Sequence, residues 1–129
     1  MKITKEQKEL FNQGFIKYNN IELVEVTEER TVLKTKINEN SLNPYGIVHG
    51  GLLFGIADTA MGVAASVKGN KSVTTTANIT YIKPATGKEL TCIATPIKIG
   101  KTMTHLEAKI YNEKEELVAT ATSSYFNLD

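Results

Sequence analysis

The chain has 129 residues, which is about the size of one ordinary domain, so we expect a single domain over residues 1–129. Hydrophobic residues make up 41% and charged residues 22%, a composition that supports a packed core and argues against disorder. The formal net charge is only +1, whereas nucleic-acid-binding proteins usually carry a basic excess on one face, so we expect no nucleic-acid partner. The single cysteine, Cys92, excludes an internal disulfide framework and a cysteine-based zinc site.

The N-terminal residues contain no long apolar stretch, so we expect neither a signal peptide nor a membrane partner, and a cytoplasmic location. Residues 4–17 predict a short amphipathic helix, because their apolar residues lie on one side. Residues 21–37 alternate between apolar and polar around a charged turn at 28–30, which predicts two strands in a hairpin.

Residues 51–67 are apolar on nearly every side of a helix but are too few for a comfortable membrane span, so they predict a buried central helix. Four strands are predicted after it, over residues 74–83, 90–99, 102–111 and 117–126. Gly100 and Lys101 between two of them favour a type II′ hairpin turn. The order of elements predicts an α+β fold, in which a mostly antiparallel sheet wraps round the central helix.

The central helix carries one carboxylate and a stripe of glycines. Asp58 is the only charged residue between Glu39 and Lys68, and an unpaired carboxylate among apolar residues would be costly to desolvate. At 100° per residue, Gly51, Gly55 and Gly62 fall on the same stripe as Asp58, although each interior glycine costs about 1 kcal/mol relative to alanine. The stripe therefore predicts the close approach of another backbone or of a ligand.

The sequence His49-Gly50-Gly51 lies where this helix begins. Free N–H groups at a helix N-terminus, with the helix dipole behind them, favour an oxygen that carries developing negative charge. Gly50 and Asp58 are eight residues apart, which is about 12 Å along a helix. One reacting carbonyl therefore cannot touch both groups of one chain, and we expect a two-fold dimer with shared active sites.

These residues resemble a known family. Asn43-Pro-Tyr-Gly46-Ile-Val-His49-Gly50-Gly51, followed by Asp58 and Gly62, is similar to the loop and helix of the hotdog-fold thioesterases, and most similar to the phenylacetyl-CoA and hydroxybenzoyl-CoA thioesterases. The resemblance extends to Asn78-Ile79-Thr80-Tyr81 with Pro84 and Gly87, and with the strand order it covers about residues 20 to 127. It implies the hotdog fold and an acyl-CoA thioesterase acting on small aryl- or medium-chain substrates.

The resemblance also implies roles. The Gly50 N–H and the Asn43 side chain would polarise the thioester carbonyl, and Asp58 of the partner subunit would act as general base on water or as nucleophile. Thr74 stands where related enzymes have a Ser or Thr that positions the water, and His49 would organise the loop. Family members are commonly dimers of dimers, so a homotetramer is expected.

Coenzyme A is part of the substrate, so no separate cofactor and no metal is expected. Its phosphates call for Lys or Arg near the mouth of the site, and Lys83 and Lys101 are candidates. Tyr81, Ile82 and Pro84 are candidates for the pantetheine tunnel, and Gly51 is a further candidate for the substrate site.

Other chemistries remain open at this point. Cys92 and His105 could form a nucleophilic pair, although a buried, inert thiol is the favoured interpretation of Cys92. The two histidines show no metal-ligand spacing to the carboxylates. The alternatives to a thioesterase are a hotdog hydratase or dehydratase and a non-catalytic acyl-CoA-binding module.

Overall fold

The structure is a computed structural model that describes residues 2–128. The N-terminal segment forms two short helices, α1 (Lys5–Leu10) and α2 (Gly14–Tyr18), so the prediction of one helix over residues 4–17 was wrong. The helix is interrupted at Gln13, which is extended with a φ of −154°, and at Gly14, whose φ of +57° lies in the left-handed region that a right-handed helix does not use. The Thr4 hydroxyl begins α1 by accepting the Gln7 N–H at 3.1 Å.

The remaining elements follow the predicted order. They are β1 (Ile21–Val26), β2 (Thr31–Lys36), a 3₁₀ turn (Glu39–Ser41), α3 (Gly50–Ala65), β3 (Ser72–Tyr81), β4 (Glu89–Ile99), β5 (Met103–Tyr111) and β6 (Leu117–Asn127). All six strands form one sheet in the order β1-β2-β4-β5-β6-β3, and every neighbouring pair is antiparallel. The α+β prediction, with an antiparallel sheet and a central helix, is confirmed.

Small side chains in the sheet make room for α3. Ala94, Ala108 and Ala121 face one another across β4, β5 and β6, and all three are buried. Large apolar side chains of the helix, including Leu53, Ile56 and Met61, pack into the same core cluster. Because an alanine leaves the strand backbone accessible, this row lets the helix lie close to the sheet and bury apolar surface along its length.

The turn between β4 and β5 differs from the prediction. Gly100 has no positive φ, and its N–H donates to the Met103 carbonyl oxygen at 2.9 Å, so the loop residues are Lys101 and Thr102 and the turn is not type II′. A Cβ at position 100 would collide with that carbonyl oxygen. Glycine is therefore needed here for close backbone approach rather than for a left-handed conformation.

Within residues 2–128, no helix is both long enough and apolar enough to cross a membrane.

Cys92 lies in the centre of the core. It faces Leu33 of β2 and Ile110 of β5, and its side chain is fully buried. Burial raises the pKa of the thiol to about 12, so almost no thiolate exists at neutral pH.

This placement of Cys92 predicts slow chemical labelling. We expect an aromatic disulfide reagent at about pH 8 to label the native protein only as fast as the fold opens, and the denatured protein at once. Rapid labelling of the native protein would contradict this placement of Cys92.

The same thiol predicts a dependence of stability on pH. The pKa of the thiol is about 12 in the folded chain, against an ordinary 9.0. The stability that depends on the bound thiol proton is therefore complete below pH 9, and it is lost between pH 9 and 12 because the unfolded chain releases the proton first. Between pH 7 and 10, urea denaturation should show wild type losing roughly 1 kcal/mol more of its free energy of unfolding than Cys92→Ala. Equal losses in the two proteins would contradict the shifted pKa.

Candidate active site

The loop before α3 is held by the Asn43 side chain. Its Oδ1 accepts the backbone N–H of Tyr45 at 2.9 Å and that of Ile47 at 3.3 Å, and Gly46 between them has a φ of +78°. Asn side chains often close turns in this way. Because the two donors fix the position of Oδ1, the Nδ2 group faces away from them, and it has no partner within residues 2–128. Asn43 therefore both closes the loop and offers a free donor.

His49 caps the helix that follows. Its Nδ1 accepts the Gly51 N–H at 2.8 Å, which places the proton of a neutral imidazole on Nε2. A Cβ at position 51 would lie 3.0 Å from Nδ1, so glycine there lets the ring fold back over the first turn. The Gly51 N–H is thus bonded to His49 and is not a free donor for a ligand. His49 contacts the helix start, which is the segment that it was predicted to organise.

The Gly50 N–H is the free donor at the start of α3, since it has no partner among the described residues. It belongs to the same peptide group as the His49 carbonyl oxygen, which accepts the N–H groups of Leu52 at 3.0 Å and Leu53 at 3.2 Å. These two bonds and the helix dipole polarise the peptide and strengthen the Gly50 N–H as a donor. The Tyr81 hydroxyl donates to the Gly50 carbonyl oxygen at 2.9 Å and fixes this turn from the other side.

A pocket of about 320 Å³ lies at the start of α3, and Gly50 forms part of its wall. It brings together six residues that the sequence predicted for the site: Asn43, Gly50, Tyr81, Ile82, Lys83 and Pro84. Apolar side chains, including Ile47, Val48 and Leu53, complete its wall. The pocket therefore combines an apolar lining with a few convergent donors, which is typical of a small-molecule site.

Lys83 at this pocket is paired. Its Nζ donates to Glu116 Oε2 at 2.9 Å, and hydrogen bonds from Asn112 and Lys83 lower the pKa of Glu116. Both side chains of the pair are exposed, so the pair is weak and Lys83 can exchange its partner at little cost.

Asp58 lies in a second cluster, on the solvent-facing side of α3. Thr74 Oγ1 donates to Asp58 Oδ1 at 3.0 Å, which brings together two of the residues predicted for catalysis. Tyr125 Oη lies 2.7 Å from the same Oδ1, and this contact was not predicted. The alternation of β6, in which Ala119 and Ala121 face inward, places Tyr125 on the same inner face. That pattern does not show that the hydroxyl of Tyr125 reaches Asp58.

The two clusters lie at opposite ends of the fold. Asp58 does not line the pocket, and eight residues of helix separate it from Gly50 by about 12 Å. Along β3, Thr74 and Tyr81 are seven residues apart, or about 23 Å. Lys101 lies at the same end of the fold as Asp58. Asn127 Nδ2 donates to the Lys101 carbonyl oxygen, and Asn127 pairs with Ser72, the first residue of β3 and two residues before Thr74. Within one chain, Lys101 is therefore not brought to the pocket.

The glycine stripe of α3 contacts aromatic side chains of the same chain. A Cβ at Gly55 would lie 2.6 Å from the Phe15 ring, and one at Gly62 would lie 3.4 Å from Tyr125 Oη. The expectation that these glycines face another backbone or a ligand is thus corrected, because the close neighbours are the rings of Phe15 and Tyr125.

The alternative nucleophile is not assembled. Cys92 lies on the helix side of the sheet, whereas His105 lies on the outer face, where its Nδ1 is 2.8 Å from Ser124 Oγ. Residues five apart on a regular strand point to opposite faces of the sheet. His105 and Ile110 are five apart on β5, and Ile110 pairs with Cys92, so His105 points away from Cys92. Among residues 2–128, no group of three or more His, Cys, Asp or Glu side chains could hold a metal ion.

Comparison with known proteins supplies the family. The family model described as the thioesterase superfamily matches residues 45–119, which include the Gly50 turn, Asp58, Thr74 and most of the sheet. Acyl-coenzyme A thioesterase 13 of Mus musculus is 30% identical over 96 residues, which cover 72% of this chain and 69% of that protein.

Solved structures share the fold. Thioesterase HI1161 of Haemophilus influenzae superposes with a TM-score of 0.92 at 21% identity, over 100% of this chain and 93% of that one. Smu.793 of Streptococcus mutans, bound to acetyl-CoA, has a TM-score of 0.82 at 26% identity, over 89% of this chain and 91% of that one.

A hypothetical thioesterase protein of Streptococcus pneumoniae, solved as an Asp-to-Ala variant, has a TM-score of 0.82 at 28% identity, over 86% of this chain and 93% of that one. A second structure of it carries a Thr-to-Ala substitution sixteen residues further along, which is the spacing of Asp58 and Thr74. The chain therefore belongs to the thioesterase superfamily, a family of thioester hydrolases, and the predicted hotdog fold is confirmed.

Proposed function

We propose that this protein hydrolyses a small aryl- or medium-chain acyl-CoA to the free acid and coenzyme A. The observation that carries the proposal is the free, polarised N–H of Gly50, a residue at the start of α3 that lines a largely apolar pocket of about 320 Å³. The relative named acyl-coenzyme A thioesterase and the neighbour bound to acetyl-CoA support this substrate class. Coenzyme A enters as part of the substrate, and the reaction as proposed needs no further cofactor. We expect it to take place in the cytoplasm.

The proposed chemistry begins at the thioester carbonyl. Its oxygen would accept the Gly50 N–H and the free Asn43 Nδ2 group, and both donors would strengthen as negative charge develops on that oxygen. As general base, Asp58 takes a proton from water, the water oxygen bonds to the carbonyl carbon, the C–S bond breaks, and the thiolate recovers the proton. As nucleophile, the carboxylate itself displaces the thiolate, and water then hydrolyses the resulting anhydride.

Either route requires Asp58 from a second subunit. β3 is an edge strand with one side unpaired, and most of its residues are exposed, including the apolar Val73. Such an edge favours pairing with another strand. Two copies joined antiparallel along β3 would extend the sheet and bring α3 of each subunit towards the other. We propose this homodimer as the catalytic unit, with two dimers forming a homotetramer by analogy with the family.

The register of β3 favours this arrangement. A two-fold axis near Asn78 would place Thr74 of one subunit opposite the partner subunit's Tyr81. Thr75 forms a bulge against β6, and as a result Thr74 and Tyr81 both point to the helix side although they are seven residues apart. The Asp58 cluster of one subunit would then meet the Gly50 pocket of the other, twice per dimer.

The coenzyme A moiety would lie along the same groove. Tyr81, Ile82 and Pro84 would contact the pantetheine arm at the mouth of the pocket, and Lys83 would exchange Glu116 for a phosphate. Lys101 would reach the phosphates only from the subunit that supplies Asp58, since both lie at the same end of the chain.

Replacing Asp58 tests the reaction. Asp58→Asn keeps the size of the side chain but removes its ability to take a proton or to attack carbon, so we expect kcat to fall about 10²- to 10⁴-fold. Release of free thiol would be measured with a panel of aryl- and straight-chain acyl-CoA substrates, and Glu28→Gln in an exposed turn serves as the control. Wild-type rates in Asp58→Asn would refute the mechanism.

The same panel separates the alternatives. Binding of acyl-CoA by wild type without release of thiol from any substrate would favour the non-catalytic module. Addition or loss of water at the acyl chain, with the thioester intact, would favour a hydratase or dehydratase.

Subunit complementation tests the shared site. Asn43→Asp keeps the oxygen that closes the loop but removes the donor and adds a repelling charge, so we expect it to be as inactive as Asp58→Asn. When equal amounts of the two variants are refolded together, half of the dimers are mixed, and each mixed dimer has one intact site. We therefore expect about a quarter of wild-type activity. A mixture that stays as inactive as its components would contradict a shared site.

A further inference from the structure

Tyr125 is a buried aromatic residue whose hydroxyl lies at the Asp58 carboxylate. Its side chain is only 4% exposed, although its strand neighbour Phe126 is 40% exposed. The strand pairings place it between Thr74 of β3 and Thr104 of β5, on the face of the sheet that contacts α3. From there the ring lies over Gly62, one helical turn beyond Asp58, and the hydroxyl extends to Asp58.

The hydroxyl contacts two acceptors of one residue. Tyr125 Oη is 2.7 Å from Asp58 Oδ1 and 2.8 Å from the Asp58 backbone carbonyl oxygen. Thr74 Oγ1 donates to the same Oδ1 at 3.0 Å. Oδ2, by contrast, has no partner within residues 2–128. The carboxylate is therefore held by one oxygen, and the other is free.

We propose that Tyr125 is a positioning residue, which together with Thr74 fixes Asp58 through Oδ1 and leaves Oδ2 as the oxygen that acts on water or on the thioester. This inference rests on the proposed function, in which Asp58 reacts. It assigns the two carboxylate oxygens different tasks, since Oδ1 sets the orientation and Oδ2 takes the proton or attacks carbon.

The environment of the tyrosine suits this task. Burial raises the pKa of Tyr125 well above its ordinary value, so the hydroxyl stays protonated and remains a donor at neutral pH. A hydrogen bond from a neutral donor to a charged carboxylate is stronger than one between two neutral groups. The ring is packed between the sheet and the helix, so the hydroxyl has little freedom to leave the carboxylate.

The glycine at position 62 is part of the same arrangement. A Cβ there would lie 3.4 Å from Tyr125 Oη and 3.7 Å from Cε2, so a larger side chain would push the ring away from the helix. A glycine in a helix interior has an intrinsic cost, and close contact with a ring that must reach Asp58 gives it a structural reason.

Tyr125→Phe tests the proposal, because it keeps the ring and removes only the hydroxyl. We expect kcat for acyl-CoA hydrolysis to fall about 10- to 100-fold with KM changed less than about twofold, since a misplaced carboxylate slows the reaction but leaves the pocket intact. The matched control is Thr104→Val, which removes a buried, unpartnered hydroxyl from the residue that faces Tyr125 on β5, and which should keep wild-type kcat. Thermal melts of both variants check folding.

A double variant separates positioning from a structural role. If Tyr125 acts through Asp58, Tyr125→Phe should lower the residual rate of Asp58→Asn by less than about twofold, whereas independent effects would multiply. An unchanged kcat in Tyr125→Phe, or a full further loss in the double variant, would overturn the proposal. Wild-type rates in Asp58→Asn would instead overturn the proposed function itself, so the two failures are distinguishable.

Discussion

One rigid helix holds the two chemical groups of this fold apart. The Gly50 N–H begins α3 and Asp58 lies in its third turn, about 12 Å further along, and a packed helix cannot shorten that distance. Within one chain, the two groups therefore belong to separate clusters. One contains the pocket and the donors, and the other contains the carboxylate with Thr74 and Tyr125. The edge strand β3 runs from one cluster to the other, and in the proposed dimer a second copy of the chain pairs with it and unites them.

The same helix also explains the composition of the sheet. Its apolar sequence gives it no polar face, so most of it must be covered, and the alanine row of β4, β5 and β6 lets the sheet approach it closely. The stripe of α3 that carries Gly55, Asp58 and Gly62 is only half-buried in the single chain, although Thr74 and Tyr125 of the sheet reach Asp58 from one side. Apolar packing thus orients the one charged residue of the helix towards the surface where a partner subunit would lie.

Much of this arrangement could be predicted from the sequence, because it depends on local patterns. Hydrophobic periodicity located the central helix and all six strands to within a few residues. The family resemblance, carried by residues 43–51 and by residues 78–81, placed Asn43, Gly50 and Tyr81 in one site. The errors came from backbone geometry. Gly14 breaks the N-terminal helix through a positive φ, and Gly100 is required by a neighbouring carbonyl oxygen rather than by its own φ. Neither cause leaves a periodic pattern.

Tyr125 shows why part of a site escapes such patterns. Its contact with Asp58 joins residues 67 positions apart, and it depends on which face of β6 each residue takes, on the antiparallel pairing with β3, and on the space left by Gly62. The sequence displayed the glycine stripe but not what filled it, and a bound ligand and an aromatic ring were equally compatible with the gaps. The tertiary structure shows that an aromatic ring fills the space beside Gly62. Because Gly62 is one helical turn from Asp58, the side chain of Tyr125 can cross the helix surface there and reach the carboxylate. The stripe therefore serves packing and chemistry together, since the space that admits the Tyr125 ring also leads its hydroxyl to Asp58.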